Sequence, residues 1–215
     1  MTRIDPALRR VLEQHLAAQG SSLASLCGRA EALLLFGSRA AGCSGADSDW
    51  DLMCVGDART QRAQRLDLVW VTPGRLSSAS WQRGELAGHV ARWGMLLWGA
   101  APWLDAVRAR WFSPGVGVAA AARKRRLING QVSGLSRVWA HLDTTHRHDQ
   151  FTALRRELQR FDALSRGQPV SPTAHLDRAW QRQESRGQWT ALASAAGLGR
   201  DQVELLWQAE APPQR

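Results

Sequence analysis

Tyrosine is absent from this chain of 215 residues, and cysteine, lysine and long apolar runs are scarce. The three cysteines have no spacing typical of a metal site and cannot all pair, so we expect reduced thiols in a cytoplasmic protein. No apolar run approaches the roughly 20 residues that a helix needs to span a bilayer, and we expect no membrane span. Charged residues near the N-terminus, without an apolar segment behind them, predict no secretory signal.

Positive charge outweighs negative charge, with 28 Lys and Arg against 19 Asp and Glu. Lys124 is the single lysine, and the many Arg and Ala residues are typical of a GC-rich genome, which is the simpler explanation of the charge. The balance also suits an anionic ligand or an acidic partner, and it allows nucleic acid without favouring it. Hydrophobic residues make up 44% of the chain, enough for an ordinary globular core.

The first half of the chain alternates helix and strand patterns. Asp5 followed by Pro6 predicts an N-capped first helix that ends near Gly20. Apolar residues between 86 and 97 recur at helical spacing and predict a helix. The alternative is that 96–99 form a short last strand of the sheet. Strands are predicted at about 31–36, 49–56 and 66–71.

The second half is helical throughout. A Pro and Gly-rich linker is predicted at 113–117, and 144–148 are predicted to form a loop between helices. The fold class is therefore α+β: a small mixed β-sheet with flanking helices over 1–112, followed by an all-helical domain over 113–215. Amphipathic helices are predicted around 128–142 and 151–164, after 171 and after 201.

Small residues mark the end of the first strand. Gly37 and Ser38 stand where a short helix is expected to begin. Glycine lets the backbone approach a ligand closely, and amides at the start of a helix point toward anions. The hydroxyl of Ser38 and the guanidinium of Arg39 add donors, so all three residues are predicted to bind phosphate.

Two carboxylates open the second predicted strand. Asp49 and Asp51 are two residues apart, so both project from the same face. Like charges so close repel each other unless a cation lies between them, and magnesium prefers carboxylate and phosphate oxygens. Asp67 on the next strand is a candidate third ligand, with an ordinary strand-edge acid as the alternative. Three carboxylates and a triphosphate can hold two metal ions.

The segment from Phe36 to Gly42 (Phe-Gly-Ser-Arg-Ala-Ala-Gly), followed by Ser48 to Leu52 (Ser-Asp-Trp-Asp-Leu), resembles the DNA polymerase β-like nucleotidyltransferase superfamily. The similarity is to its minimal and aminoglycoside nucleotidyltransferase-like branches in particular, and it extends over about 33–71. It implies an enzyme that moves a nucleoside monophosphate, AMP from ATP being expected, to an acceptor hydroxyl with release of pyrophosphate. Two Mg²⁺ ions are implied, with Mn²⁺ as the alternative.

The same resemblance implies particular residue roles. Gly37 and Ser38 are expected to bind phosphates, and Asp49, Asp51 and Asp67 are expected to bind metal and act in catalysis. Two positions depart from the family pattern. Ala41 stands where many relatives have a second arginine, and Trp50 is bulkier than the usual aliphatic residue between the acids.

The helical half offers two further candidates. Lys124 lies in a basic run and is predicted to reach the triphosphate, since family members often use a lysine of the helical domain there; a solvated charge run is the alternative. Glu157 is a candidate general base, with an ordinary helix-surface position as the favoured alternative.

The acceptor is not specified by these motifs. A small hydroxyl-bearing molecule of the aminoglycoside type is the first hypothesis. The alternative is a toxin–antitoxin or regulatory module that nucleotidylates or binds a protein or RNA partner. Minimal relatives modify a tyrosine of a partner, and this chain has none of its own to label. A transferase acting on RNA 3′ ends is a third, less favoured hypothesis.

Overall fold

Two compact units make up the protein, Met1–Pro114 and Gly115–Arg215. The computed structural model describes residues 4–63, 65–111, 113, 115–180 and 185–209. The division between the units falls within the linker predicted at 113–117, of which residue 114 lies outside the described residues.

The first unit contains both helices and strands. The carboxylate of Asp5 accepts hydrogen bonds from the amides of Ala7 and Leu8 at 2.9 and 3.0 Å, so the predicted N-cap begins α1. Its elements are α1 (Pro6–Ala17), α2 (Leu23–Arg29), β1 (Ala32–Phe36), α3 (Gly37–Ala40), β2 (Trp50–Val55), β3 (Gln61–Ala63), β4 (Leu66–Val71), α4 (Pro73–Ser77), α5 (Ala79–Gln82), α6 (Glu85–Trp93), β5 (Met95–Gly99) and α7 (Pro102–Trp111).

These strands form one sheet in the order β3-β4-β2-β1-β5. Strand β1 is antiparallel to both β2 and β5, β3 is antiparallel to β4, and β2 is parallel to β4. The sheet is therefore mixed, and the predicted α+β fold class is confirmed. The parallel register places Asp51 directly opposite Asp67, and the antiparallel register places Asp51 opposite Phe36.

Residues 86–97 do not form one helix. Helix α6 ends at Trp93, because Gly94 turns to extended backbone while its amide still donates to the carbonyl of Val90 at 2.8 Å. A Cβ at Gly94 would lie 2.5 Å from that carbonyl oxygen, so the tight exit requires glycine. Met95 then pairs with Leu35 of β1. The alternative of a short last strand is the correct one.

One face of the sheet is covered by α1 and α2. Alternate residues of the strands enter this apolar layer, and Leu33, Leu52 and Leu66 are fully buried in it. The residues between them project from the opposite face. Asp51 and Asp67 therefore lie on the face away from α1 and α2, at the end of the sheet where β2 and β4 begin.

The described residues of the second unit are helical. The predicted loop at 144–148 is instead the first turn of a helix, because the carboxylate of Asp143 accepts from the amide of His146 at 2.9 Å and caps it. Its elements are α8 (Val118–Val138), a 3-10 turn (Trp139–His141), α9 (Thr144–Ser165), α10 (Thr173–Trp180), α11 (Ser185–Ala195) and α12 (Arg200–Trp207).

Aromatic packing builds the core of the second unit. Phe151 of α9 is fully buried, and its ring contacts those of Trp180, Trp189 and Trp207 from three other helices. Among the helices of the described ranges, none has the length and apolar character needed to cross a membrane.

Candidate functional site

Three carboxylates lie at one end of the sheet. Asp51 and Asp67 are opposite each other on β2 and β4, and neighbouring strands are about 4.8 Å apart. Asp49 is exposed and immediately precedes β2, and its carboxylate lies close enough to Asp51 to raise the pKa of that group. The structure thus groups the three predicted acids on adjacent chain segments.

Asp51 has an unfavourable environment for its charge. Burial and then the neighbouring carboxylates of Asp67 and Asp49 raise its pKa to about 6, against which the guanidinium of Arg39 acts weakly. A negative charge at this position is therefore disfavoured first by burial and then by the two neighbouring carboxylates, and Arg39 offsets only part of this. A bound cation would offset that repulsion and lower the pKa of Asp51 again, because an opposite charge nearby favours the ionised form.

Gly37 is required by the position of Asp51. Its φ is +75°, a conformation that other residues adopt only with strain, and a Cβ built on it would lie 1.9 Å from Oδ2 of Asp51. The strand-to-helix turn and the carboxylate therefore fit together only because residue 37 has no side chain. The backbone of Gly37, a candidate for phosphate binding, therefore packs directly against the carboxylate of Asp51, a candidate metal ligand.

His89 contacts the same turn and was not among the predicted site residues. The amide of Gly37 donates to Nε2 of His89 at 3.1 Å, so that nitrogen carries no proton in this arrangement. The imidazole packs edge-on against Phe36 and lies 4.9 Å from the ring of Trp93, measured between ring centroids. A single histidine on an amphipathic helix gives no sequence signal, because its partner lies 52 positions away.

Arg39 is engaged with the backbone before β2. Its Nη2 donates to the carbonyl of Ser48 at 2.6 Å, and its Nε lies 3.2 Å from the carbonyls of both Ser48 and Asp49. Its guanidinium carbon is 4.1 Å from the centroid of the Trp50 ring. The prediction that Arg39 binds phosphate stays a prediction, and these contacts show what else the side chain does.

The loop between α3 and β2 is fastened at several points. The amide of Cys43 donates to the carbonyl of Ser38 at 3.0 Å, and the amide of Gly45 donates to the hydroxyl of Ser48 at 2.9 Å. Arg65, which precedes β4, donates to the carbonyl of Ala46 at 3.2 Å. Ser38 is thus part of a braced loop whose two ends are the phosphate-binding and metal-binding candidates.

Lys124 belongs to the second unit, on α8. Its ammonium lies 2.6 Å from Oε2 of Glu157 on α9, and its side chain is only 11% exposed. Burial alone would raise the pKa of Glu157, but the hydrogen bonds and charges of Lys124 and Arg160 lower it overall. A carboxylate held in its ionised form by two cations is a weak general base. Nucleotide binding by Lys124 stays a prediction.

A divalent metal ion fits the acids at the end of the sheet where β2 and β4 begin, in chemistry and in charge. No three His, Cys, Asp or Glu side chains in the described ranges are already arranged to hold a metal ion by themselves. Magnesium is commonly held by one or two carboxylates, with substrate phosphates completing its shell. The negative charge of Asp51 beside Asp67 and Asp49 is what such an ion would balance.

Comparisons with known proteins give little beyond this geometry. No family model matches the chain, and no curated protein matches it. A solved structure of a toxin–antitoxin with AMP-PNP matches part of the chain, with 21% sequence identity and a TM-score of 0.27. The match covers 52% of this chain and 87% of that chain. A likeness at this level carries no argument, so the functional conclusion rests on the site itself.

Proposed function

We propose that the first unit is a metal-dependent nucleotidyltransferase domain, which binds a nucleoside triphosphate, ATP in the first instance, at the end of the sheet where β2 and β4 begin. The observation that supports it is the half-buried carboxylate of Asp51 beside Asp67 and Asp49: burial first, and then these two neighbouring charges, raise the pKa of Asp51 to about 6. Carboxyl groups with strongly raised pKa values cluster at functional sites. Divalent cations bound to a triphosphate would add positive charge beside Asp51.

Each residue then has a distinct task. Asp49 and Asp51 would hold the metal ions, and Asp67 would complete the set of carboxylate ligands and take the proton of the attacking hydroxyl. The loop after Gly37 lies against Asp51, so phosphates bound by the Ser38 hydroxyl and the neighbouring amides would lie beside the metal ligands. Bound Mg²⁺ would polarise the α-phosphate, lower the pKa of the attacking hydroxyl and balance the charge of the leaving pyrophosphate.

The proposed transfer is a substitution at the α-phosphorus. The acceptor oxygen forms the new bond to phosphorus, while the bond between the α-phosphorus and the oxygen bridging to the β-phosphate breaks. The electron pair of the broken bond leaves with pyrophosphate. The hydroxyl proton passes to the carboxylate of Asp67, which lies beside Asp51 and releases the proton to water.

As the acceptor of the nucleotide we propose first a small hydroxyl-bearing molecule of the aminoglycoside type. The absence of tyrosine means that this chain cannot accept a nucleotide on its own phenol groups, so a protein acceptor, as in a toxin–antitoxin or regulatory module, would have to be a partner.

The test is incubation with each α-labelled nucleoside triphosphate, Mg²⁺ or Mn²⁺, and three acceptor sets: aminoglycosides, proteins and RNA. We expect pyrophosphate release coupled to labelling of one acceptor. Asp49→Asn and Asp51→Asn should each abolish it without loss of the fold, and Asp67→Asn should lower kcat by orders of magnitude. The exposed Asp57→Asn is the matched control and should keep the wild-type rate.

Two results would overturn the proposal. One is unchanged turnover in Asp51→Asn, which would remove the metal-ligand assignment. The other is the lack of pyrophosphate release and of metal-dependent triphosphate binding under every condition, which would leave the acid cluster without the proposed role.

A further inference from the structure

Arg39 reaches out of the short helix α3 and meets the chain where β2 is about to start. Its three hydrogen-bond contacts, between 2.6 and 3.2 Å, all go to the carbonyls of Ser48 and Asp49. Hydrogen bonds from a charged donor contribute more than neutral ones, about 1.5–3 kcal/mol. The carbonyl of a proposed metal ligand is therefore held by a cation from another part of the chain.

Regular strand pairing does not fix Asp49. The first residue of β2 is Trp50, whose amide donates to the carbonyl of Arg65 at 2.9 Å. Asp51 lies within the register with both neighbouring strands. Asp49 precedes that register, so its position relative to Asp51 depends on the contacts that the loop itself makes.

Trp50 provides the second half of this arrangement. The guanidinium of Arg39 lies over its ring, 4.1 Å from the centroid, and the ring of His15 lies 6.4 Å away on α1. The indole also packs against the buried apolar layer beneath the sheet. A cation over an aromatic face contributes about 0.5–2 kcal/mol, depending on burial. An aliphatic side chain at position 50 would give the planar guanidinium no such face.

We propose that Arg39 and Trp50 act as a positioning pair, which holds Asp49 beside Asp51 so that both carboxylates face one cation. This rests on the proposed function for its purpose, but the structural part stands on the contacts alone. It assigns Arg39 to the metal side of the site rather than to the phosphates, and it explains the bulky residue between the two acids.

The first test uses metal-free protein and needs no turnover. Arg39→Lys keeps the charge but loses the planar fork, and Trp50→Leu removes the ring; Trp50→Phe keeps an aromatic face. Amide hydrogen exchange at Gly45, Ser48 and Trp50 should become about tenfold faster in Arg39→Lys and Trp50→Leu. Trp50→Phe should recover most of the protection. The exposed Arg92→Lys is the matched control and should exchange like wild type.

The second test is calorimetric titration of the same variants with Mn²⁺ in the absence of nucleotide. We expect about tenfold weaker binding in Arg39→Lys and Trp50→Leu. In steady-state assays the same change should appear in the metal concentration for half-maximal rate, with the KM for the triphosphate at saturating metal close to wild type.

Two outcomes separate the alternatives. Unchanged exchange and metal affinity, with a raised KM for the triphosphate, would overturn the positioning role and make Arg39 a phosphate ligand. If wild-type protein neither releases pyrophosphate nor binds a triphosphate with metal, the proposed function fails. The exchange measurement still decides whether Arg39 and Trp50 hold the segment in place.

Discussion

The carboxylate of Asp51 fills the space that a side chain at Gly37 would occupy, with Oδ2 only 1.9 Å from an ideal Cβ at that position. Two segments of the chain, the turn after β1 and the second residue of β2, are therefore locked in one arrangement. The first prediction follows from this contact.

Gly37→Ala should destabilise the protein by more than the about 1–2 kcal/mol that a left-handed conformation costs a residue with a side chain. Gly42→Ala is the matched control, because Gly42 has a φ of +67° and nothing within 4 Å of its Cβ position. Urea unfolding of both variants isolates the collision. Replacing Asp51 by Ala in the Gly37→Ala background should recover part of the loss. Equal costs at the two glycines would contradict the prediction.

Protonation of Asp51 should leave a signature in the pH dependence of stability. Because its pKa is raised from 3.8 to about 6, the folded protein binds more protons than the unfolded chain between these pH values. Stability contributed by this group is then greatest at low pH and falls as pH rises through the window. Asp51→Asn should remove that fall and be more stable than wild type at pH 7–8.

The measurement is urea unfolding of metal-free protein from pH 4.5 to 8, with a carboxyl titration by nuclear magnetic resonance. Asp57→Asn, at an exposed position, should keep the wild-type slope. Added Mn²⁺ should stabilise wild type more at pH 7.5 than at pH 5, because the metal competes with the proton for the same carboxylate. A slope unchanged by Asp51→Asn would refute the assignment.

His89 should hold the Gly37 amide through its unprotonated nitrogen. In His89→Phe the ring still packs against Phe36 and Trp93 but accepts no hydrogen bond, and an unsatisfied donor costs about 1–3 kcal/mol. We expect faster hydrogen exchange at the Gly37 amide and a lower free energy of unfolding. His89→Gln, which keeps an acceptor, should be intermediate. Wild-type exchange in His89→Phe would show that the bond contributes nothing.

Lys124 should contribute to the stability of the second unit through Glu157. Lys124→Met removes one of the two cations that contact the Glu157 carboxylate, the one at 2.6 Å, and leaves Arg160. We expect a loss of about 1–3 kcal/mol together with a rise in the pKa of Glu157. The double variant with Glu157→Gln should lose less than the sum of the single variants. A raised KM for a triphosphate with unchanged melting temperature would instead support the predicted nucleotide contact.

Sequence patterns were sufficient where the physics is local. Alternation along β2 and β4 places Asp51 and Asp67 on strands and on one face, and Asp5 and Pro6 mark the start of α1. Local patterns do not specify which strands pair. The parallel pairing of β2 with β4, and the edge position of β3 beside β4, could therefore be seen only in the structure. The roles of His89 and of Arg39 against Trp50 were missed for the same reason.

The predicted loop at 144–148 is wrong because the helix N-cap in front of it was not taken into account. Residues 144–148 contain polar and basic side chains that suggested a loop, whereas Asp143 caps them as the first turn of α9. Asp is a strong N-cap, so the signal was present in the sequence. In contrast, the choice between helix and strand at 95–99 depended on Gly94 meeting the carbonyl of Val90, a contact that composition does not encode.

Leu66 and Leu68 flank Asp67 on β4 and are 0% and 1% exposed, so their burial fixes the register of this strand. A slip of β4 by one residue would turn Asp67 into the apolar layer and move both leucines to the opposite, half-buried face. The burial of Leu66 and Leu68 therefore fixes the face of the sheet on which the Asp67 carboxylate lies. Substitutions that change the size of Leu66 or Leu68 should therefore shift the Asp67 carboxylate and lower the rate of the proposed transfer, although both leucines lie on the other face of the sheet.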